Sequence, residues 1–293
     1  MAPEVDVEGR RLKLSNLDKV LFPETGFTKG HVIDYYTRVA PAVLPHLRGR
    51  ALTLKRYPNG VEGHFFYEKQ KPSHAPEWVR TEKIEAGDRM IDFVLCDDLA
   101  TLVWLANLAD LELHPSLALA KDPDRPTVIA FDLDPGPPAG LPECRRVALL
   151  LRDTLAHIGL ECFPKSSGSK GMQVYVPLNT PVTYDDTKPF AHALAQLLER
   201  EHGDLIVSRM KKSLRTGKVF IDWSQNDRHK TTVAVYSLRA REPATVSTPL
   251  TWDEVEDDDC KLMFETHELL DRVAEHGDLF EPVLKLEQRL PKL

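Results

Sequence analysis

The chain has 293 residues, 42% of them hydrophobic and 28% charged, with a formal net charge of −7, which is the profile of a folded protein long enough for one large domain or two lobes. No apolar run approaches the ~18 residues a membrane span needs, and the opening "MAPEVDVEGRRLKLSN" has no apolar signal region, so a cytoplasmic protein without a membrane partner is expected. Cys96, Cys144, Cys162 and Cys260 are scattered with no C-x-x-C pair, which argues against a structural zinc site or a disulfide framework.

In chain order, "RALTLKRYPNG" and "HFFYEKQ" predict short strands around a Pro-Asn-Gly turn, and "DDLATLVWLANLADLELH" predicts a helix capped at Asp97 that runs into a strand. Alternation follows: a strand over 127–133, a helix over 142–158, a strand over 161–164, the turn "KSSGSKG", a strand over 172–177 and a helix over 186–202. "KVFIDWS" and "TTVAVYSLR" are alternating and β-branched, which predicts an antiparallel pair, and "TWDEVEDDD" and "THELLDRVAEHGD" close the chain as acidic helical stretches. The expected class is mixed α/β, of α+β type, with at least one largely antiparallel sheet.

The negative average hides a basic segment. Residues 205–241 hold nine Lys or Arg against two Asp, whereas 242–293 hold five against fourteen Asp or Glu. A solvated charged face is one reading of such a run; because Arg209, Lys211, Lys212, Arg215 and Lys218 precede Asp222 and Arg228, Lys230, Arg239 and Arg241 follow it, phosphates bound close to the chemistry are the other.

Asp132 and Asp134 in "TVIAFDLDPG" are two residues apart on a strand and therefore share a face, with Phe131 and Leu133 on the other. Adjacent carboxylates repel, and a divalent cation relieves the repulsion; solvated strand-end residues remain the plainer reading of D-x-D alone. "KVFIDWSQN" repeats the design with Asp222 at the end of an apolar strand. Three carboxylates on strand ends suit a two-metal phosphoryl-transfer site, and hard oxygen donors favour Mg²⁺ or Mn²⁺ over zinc. "KSSGSKG" lacks Walker A spacing, but its glycines permit an anion-binding turn to which Ser167, Ser169 and Lys170 add donors and charge. His114 and the aromatic pair Phe65 and Phe66 are candidates for phosphate contact and base stacking, with a core role as the alternative.

"FDLD" resembles the haloacid dehalogenase-like phosphatases, although Pro135 stands where that family continues with glycine and some 130 residues precede the motif. The fuller resemblance is to the archaeo-eukaryotic primase superfamily, and within it to the polymerase domain of bacterial ligase D and its stand-alone relatives. It runs through "SNLDKVLFPETGFTKGHVIDYY", "KRYPNG", "FFYEKQ", "FDLDPG", "SSGSKG", "KSLRTGKVFIDWSQN" and "KTTVAVYSLRAR".

The resemblance implies an RRM-like catalytic lobe with sheets flanked by helices, and a template-dependent nucleotidyltransferase that extends primers across short gaps or at broken ends, often with ribonucleotides. It assigns Asp132, Asp134 and Asp222 to two Mn²⁺ or Mg²⁺ ions, and His114, Ser167, Ser169, Lys170 and Arg239 to the NTP or dNTP triphosphate. Phe65 and Phe66 are assigned to the base, with Lys55 and Gln225 as further nucleotide contacts. Asn16, Lys19 and Lys29 match a pocket for a downstream 5′-phosphate, and Lys211, Arg215 and Lys230 are expected along the template. The implied layout is a single catalytic domain over 1–293, with 1–115 as the N-terminal lobe carrying that pocket, 116–250 as the catalytic lobe and 251–293 as acidic helices packed on the core. Gapped or broken DNA, a Ku-type end-binding protein and a ligase acting in trans are the implied partners, in a bacterial, nucleoid-associated setting.

Two positions depart from the pattern: Gln173 stands where relatives have histidine in S-G-S-K-G-x-H, and His229 precedes Lys230 where they have glycine.

Overall fold

In the computed structural model, which describes residues 3–291, the chain forms two units. One comprises residues through Ser116 with the returning segments Thr231–Ser247 and Phe264–Asp278; the other comprises Leu117–Lys230, Thr248–Met263 and the chain from Leu279 onward.

The first unit begins with two hairpins, β1 (Glu4–Val7) with β2 (Arg10–Lys13) and β3 (Val20–Phe22) with β4 (Phe27–Thr28). These lead into α1 (Lys29–Leu47) through a capping box, in which the Thr28 hydroxyl accepts from the His31 N–H and the His31 ring accepts from the Thr28 N–H. Val32, Tyr36, Val39, Val43 and Leu47 recur every three or four residues along α1 and are all fully buried. β5 (Leu52–Arg56) pairs with β6 (Phe66–Glu68), and β7 (Thr81–Ala86) with β8 (Arg89–Val94). After α2 (Leu99–Asn107) comes β9 (Asp110–Pro115), which joins the other side of β5, so that the three-stranded antiparallel sheet runs β6-β5-β9. The cap of α2 is Asp98, which accepts from the Thr101 N–H at 2.8 Å, and not Asp97 as expected. Asp97 is engaged elsewhere, by the Gly49 N–H and the Arg80 guanidinium.

The second unit is built on β10 (Val128–Pro135), α3 (Leu141–His157), β11 (Phe163–Ser166), β12 (Met172–Pro177), α4 (Tyr184–Glu201), β13 (Ile206–Val207) and β14 (Val219–Asp222). Its strands lie in the order β11-β12-β10-β14-β13, antiparallel except for the β13 and β14 pair. This is an RRM-like βαββαβ sheet with β13 added at the edge. Phe131, Leu133, Met172 and Val174 are fully buried, and α3 packs on β10, β12 and β14.

Toward the end of the chain the two units alternate. β15 (Thr245–Val246) belongs to the first unit, α5 (Trp252–Glu256) to the second, β16 (Phe264–Glu265) and α6 (Thr266–His276) to the first, and α7 (Pro282–Lys285) to the second. The expected pairing of "KVFIDWS" with "TTVAVYSLR" does not form. β14 pairs with β10 and β13 instead, and Thr231–Arg239 is an irregular segment of the first unit, where the Ala234 N–H donates to the Leu113 carbonyl at 2.9 Å and the Tyr236 N–H to that of Ser247 at 2.7 Å. Tyr236 has φ of +67°, a left-handed conformation that interrupts an extended strand. The segment 231–247 therefore clusters with the N-terminal elements, although the lobes read from sequence grouped it with 116–230; the last two residues of that layout, 292 and 293, lie outside the described residues.

Candidate active site

Antiparallel register lines up one row of polar side chains across four strands of the second unit. Lys165 on β11 lies opposite Gln173 on β12, Gln173 opposite Asp132 on β10, and Asp132 opposite Asp222 on β14. Directly opposed residues share a face, so these four occupy the face that Phe131 and Leu133 avoid. Asp134, two residues on, is exposed on the same face. The Asp132 carboxyl is pushed up to about 7, first by burial and then by the charges of Asp134 and Asp222, against the opposing effects of the Gln173 hydrogen bond and Lys165. A carboxyl so placed is stabilised by an added cation.

The side chains around Asp222 fix its orientation. Its Oδ1 accepts from the Ser224 backbone N–H at 3.0 Å and from the Ser224 hydroxyl at 2.5 Å, and its Oδ2 accepts from Gln225 Nε2 at 2.9 Å. Lys230 in turn donates to the Ser224 hydroxyl. Gln225 and Lys230, expected at the nucleotide and the template, are thus engaged on and behind Asp222. Arg215 stacks its guanidinium 3.7 Å over the Phe220 ring and brings Nη1 to 3.8 Å from Asp134, while Lys211 is exposed. Among the described residues no three acidic, imidazole or thiol groups converge as ligands of one ion. In chemistry the set still fits a hard divalent cation: all the donors are carboxylate oxygens, and their mutual repulsion is visible at Asp132.

Asn226 anchors this region to the sheet. Its amide accepts from the Ala130 N–H at 2.9 Å and donates to the Ala130 carbonyl at 2.8 Å, standing in for a strand where β14 has ended. Asn226→Ala would leave both buried groups of Ala130 unpaired, so a loss of about 2–4 kcal/mol is expected in denaturant unfolding, with weaker nucleotide incorporation because the turn carrying Asp222 loosens.

In the "KSSGSKG" turn the buried Ser167 hydroxyl accepts from the N–H groups of Ser169 and Gly171, both at 3.2 Å. Ser167 is therefore an organiser of the turn, while Lys170 is exposed and Ser169 partly so. Gly171 is required by packing: a Cβ there would lie 2.0 Å from the Leu133 carbonyl oxygen of β10. This close approach ties the turn to the strand that carries Asp132 and Asp134.

The first unit holds a second cluster around Glu112, which the sequence reading passed over. Glu112 is 2% exposed and lies directly opposite Lys55 in the β5–β9 ladder. Its Oε2 is 3.1 Å from Lys55 Nζ, 3.0 Å from His114 Nε2 and 3.5 Å from Arg239 Nε, and its Oε1 accepts from the Ala240 N–H at 3.1 Å. Burial alone would raise its pKa; the hydrogen bond from His114 and the charges of Arg239 and Lys55 hold it well below the usual carboxylate range. Lys55, His114 and Arg239, scattered over 185 residues of sequence, are thus brought together.

Phe65 joins this cluster and Phe66 does not. The Phe65 ring stacks on Tyr57 at 5.2 Å and meets Tyr67 edge-on at 5.9 Å, with Lys55 Nζ 4.8 Å from its centroid. Phe66 lies under Arg56 instead, as neighbouring residues of an extended segment must point apart. Tyr67, exposed and edge-on to His114 at 6.2 Å, is an aromatic that sequence reasoning missed.

Asn16, Lys19 and Lys29 form a third group in the same unit. Asn16 takes φ of +52° and its carbonyl accepts from the Lys19 N–H; the Lys19 carbonyl accepts from the Lys29 N–H, at the start of α1. Lys19 Nζ donates to the Pro58 carbonyl and to Asn59, and the buried Lys29 Nζ donates to Ser15 Oγ at 3.1 Å and the Asn107 carbonyl at 2.8 Å.

An RRM-like sheet with aspartates in one cross-strand row and a glycine turn tied to it places the chain among the nucleotidyltransferases of the primase-polymerase class. It belongs to the family described as "LigD, primase-polymerase domain", whose model matches residues 28–280. The chain is 42% identical over 276 residues to the multifunctional non-homologous end joining protein LigD of Mycolicibacterium smegmatis, covering 93% of this chain and 36% of that protein. It is 32% identical to the bifunctional non-homologous end joining protein LigD of Bacillus subtilis, covering 91% of this chain and 43% of that one. The polymerase domain of Mycobacterium tuberculosis ligase D, solved in complex with DNA, superposes with a TM-score of 0.89 at 40% identity, over 95% of this chain and 99% of that one. The chain thus spans about two fifths or less of the curated relatives named here. The phosphatase reading of "FDLD" finds no support in these matches.

Proposed function

We propose that this domain is a template-dependent polymerase that fills short gaps or extends broken ends during DNA end joining, with a preference for ribonucleotides. The observation that carries the reading is the register that sets Asp132 opposite Asp222, with Asp134 exposed on the same face: carboxylates gathered on one sheet face are the ligands that phosphoryl transfer needs. When bound by Asp132, Asp134 and Asp222, two Mn²⁺ or Mg²⁺ ions supply activation of the primer 3′-hydroxyl and neutralisation of the triphosphate. Gln225 and Ser224 hold the Asp222 carboxylate in place. In the second unit Ser169 and Lys170 are assigned to the triphosphate; in the first unit Lys55, His114 and Arg239 are assigned to nucleotide contacts and Phe65 to stacking on the base. Lys170 is assigned to stabilise the charge that develops on the departing pyrophosphate, as fixed cations do in phosphoryl transfer. Lys211 and Arg215 serve the template strand.

The bacterial relatives are named for non-homologous end joining, which supports a nucleoid-associated setting with a Ku-type end-binding protein and a DNA ligase as partners. Extension of primed, gapped and blunt-ended DNA with Mg²⁺ or Mn²⁺, offering ribonucleotides or deoxyribonucleotides, tests the reading. Metal-dependent, template-matched incorporation that is strongest on gaps with a 5′-phosphate is expected. No incorporation under any metal would refute it.

A further inference from the structure

The cluster around Glu112 contains a choice of proton position that bears on how the nucleotide is met. His114 and Glu112 are two residues apart on β9 and share a face, and the His114 Nε2 lies 3.0 Å from Glu112 Oε2. An ionised carboxylate has no proton to give, so the shared hydrogen belongs to Nε2. Nδ1 has no partner among the described residues. Burial first, then the charges of Arg239 and Lys55, lower the His114 pKa below its ordinary value, against the opposing pull of Glu112. This favours the neutral ring in the free protein, with its one proton on the nitrogen that faces Glu112.

Glu112 also has more partners than a core carboxylate needs. Lys55, His114 and Arg239 approach one of its oxygens, and the Ala240 N–H and the Tyr57 hydroxyl approach the other. Two of these come from the returning segment Thr231–Ser247 and the rest from β5, β9 and the residue after β5. Without this carboxylate, three cationic or cation-capable side chains would stand within a few ångströms of one another and lose the oxygen they share.

We infer that Glu112 is the positioning residue of the nucleotide cluster: it holds Lys55 and Arg239 converged and fixes His114 as the Nε2–H tautomer in the free protein, which sets the orientation of the ring. The inference rests on the assignment of this cluster to the nucleotide, but the proton position is measurable without turnover.

The experiment uses the full chain. ¹⁵N NMR of histidine-labelled protein, with His114→Ala to assign the signal, is expected to show His114 as one tautomer with the proton on Nε2. In Glu112→Gln, where an amide offers a donor as well as an acceptor to the same neighbours, that signal is expected to shift or split. Glu112→Gln is also expected to lose at least tenfold in kcat/KM for nucleotide while keeping wild-type affinity for the 5′-phosphate of gapped DNA. Glu112→Asp, which restores the charge one methylene short, should recover part of that loss. A proton on Nδ1 in the wild type overturns the inference. So does a folded Glu112→Gln protein with wild-type kcat/KM, or one that loses nucleotide and 5′-phosphate binding alike with a lowered melting temperature. Failure of wild type to incorporate any nucleotide would sink the polymerase reading instead, and leaves the tautomer result standing.

Discussion

Asp222→Ala protein is expected to bind gapped duplex about as tightly as wild type and to incorporate no measurable nucleotide, a loss of at least ~10³ in single-turnover rate given what one preorganised charge contributes to such reactions. The expectation follows from the ladder: Asp222 is directly opposite Asp132, so removing it takes one carboxylate from a set that has no acidic replacement in the row. Contacts to the DNA ends are assigned to other residues, which is why binding should survive. Asp222 also accepts two hydrogen bonds from Ser224, and its alanine variant loses that cap. Asp132→Asn separates the two effects. It keeps the shape of the side chain and relieves the repulsion that Asp134 and Asp222 impose on Asp132, so in metal-free buffer its melting temperature is expected to equal or exceed that of wild type while extension is lost to the same degree. Normal extension by a folded Asp132→Asn or Asp222→Ala protein would remove these carboxylates from the chemistry.

Much of this row was readable because a strand has a period of two. D-x-D after an apolar run places two carboxylates on one face, and "FIDWS" repeats the pattern with Asp222. Register is another matter. That Asp132 faces Asp222 on one side and Gln173 on the other depends on which strands are neighbours, and β-branched alternation reports extended structure without naming its partner. The same gap explains the missed pairing of β14 with β10. Glu112 was hidden for a related reason: in "LADLELH" it reads as one acidic residue in an apolar strand, and its meaning arises only from Lys55 across the ladder and Arg239 far along the chain. Phe66, in contrast, is separated from Phe65 by the geometry of an extended chain. The hydrogen bonds of Gln225 to Asp222 and of Lys230 to Ser224 depend on the turn that follows β14, which the sequence does not display.

Lys29→Met is expected to abolish the preference for a gap bearing a 5′-phosphate over the same gap bearing a 5′-hydroxyl, while leaving extension of an ungapped primer near wild type. Lys29 is 5% exposed, and among the described residues its ammonium donates only to the neutral Ser15 hydroxyl and Asn107 carbonyl. Burial, and then the charge of Lys19, lower its pKa, as happens when a cation is withdrawn from water without an anion beside it. A phosphate supplies that anion, and a charge-assisted hydrogen bond to it is worth about 1.5–3 kcal/mol, so discrimination should fall by roughly 10- to 100-fold when the ammonium is removed. Methionine retains the length and apolar body of the buried stem, which limits the cost to folding. Lys19→Ala should have a smaller effect, because its more exposed ammonium already donates to the Pro58 carbonyl and Asn59 and its attraction to phosphate is screened by salt. Competition binding with the two gapped substrates at fixed ionic strength measures the ratio directly. Equal affinity of wild type for both ends would refute the pocket, whereas a Lys29→Met protein that weakens equally on both substrates would show that the residue contributes to DNA binding without reading the phosphate.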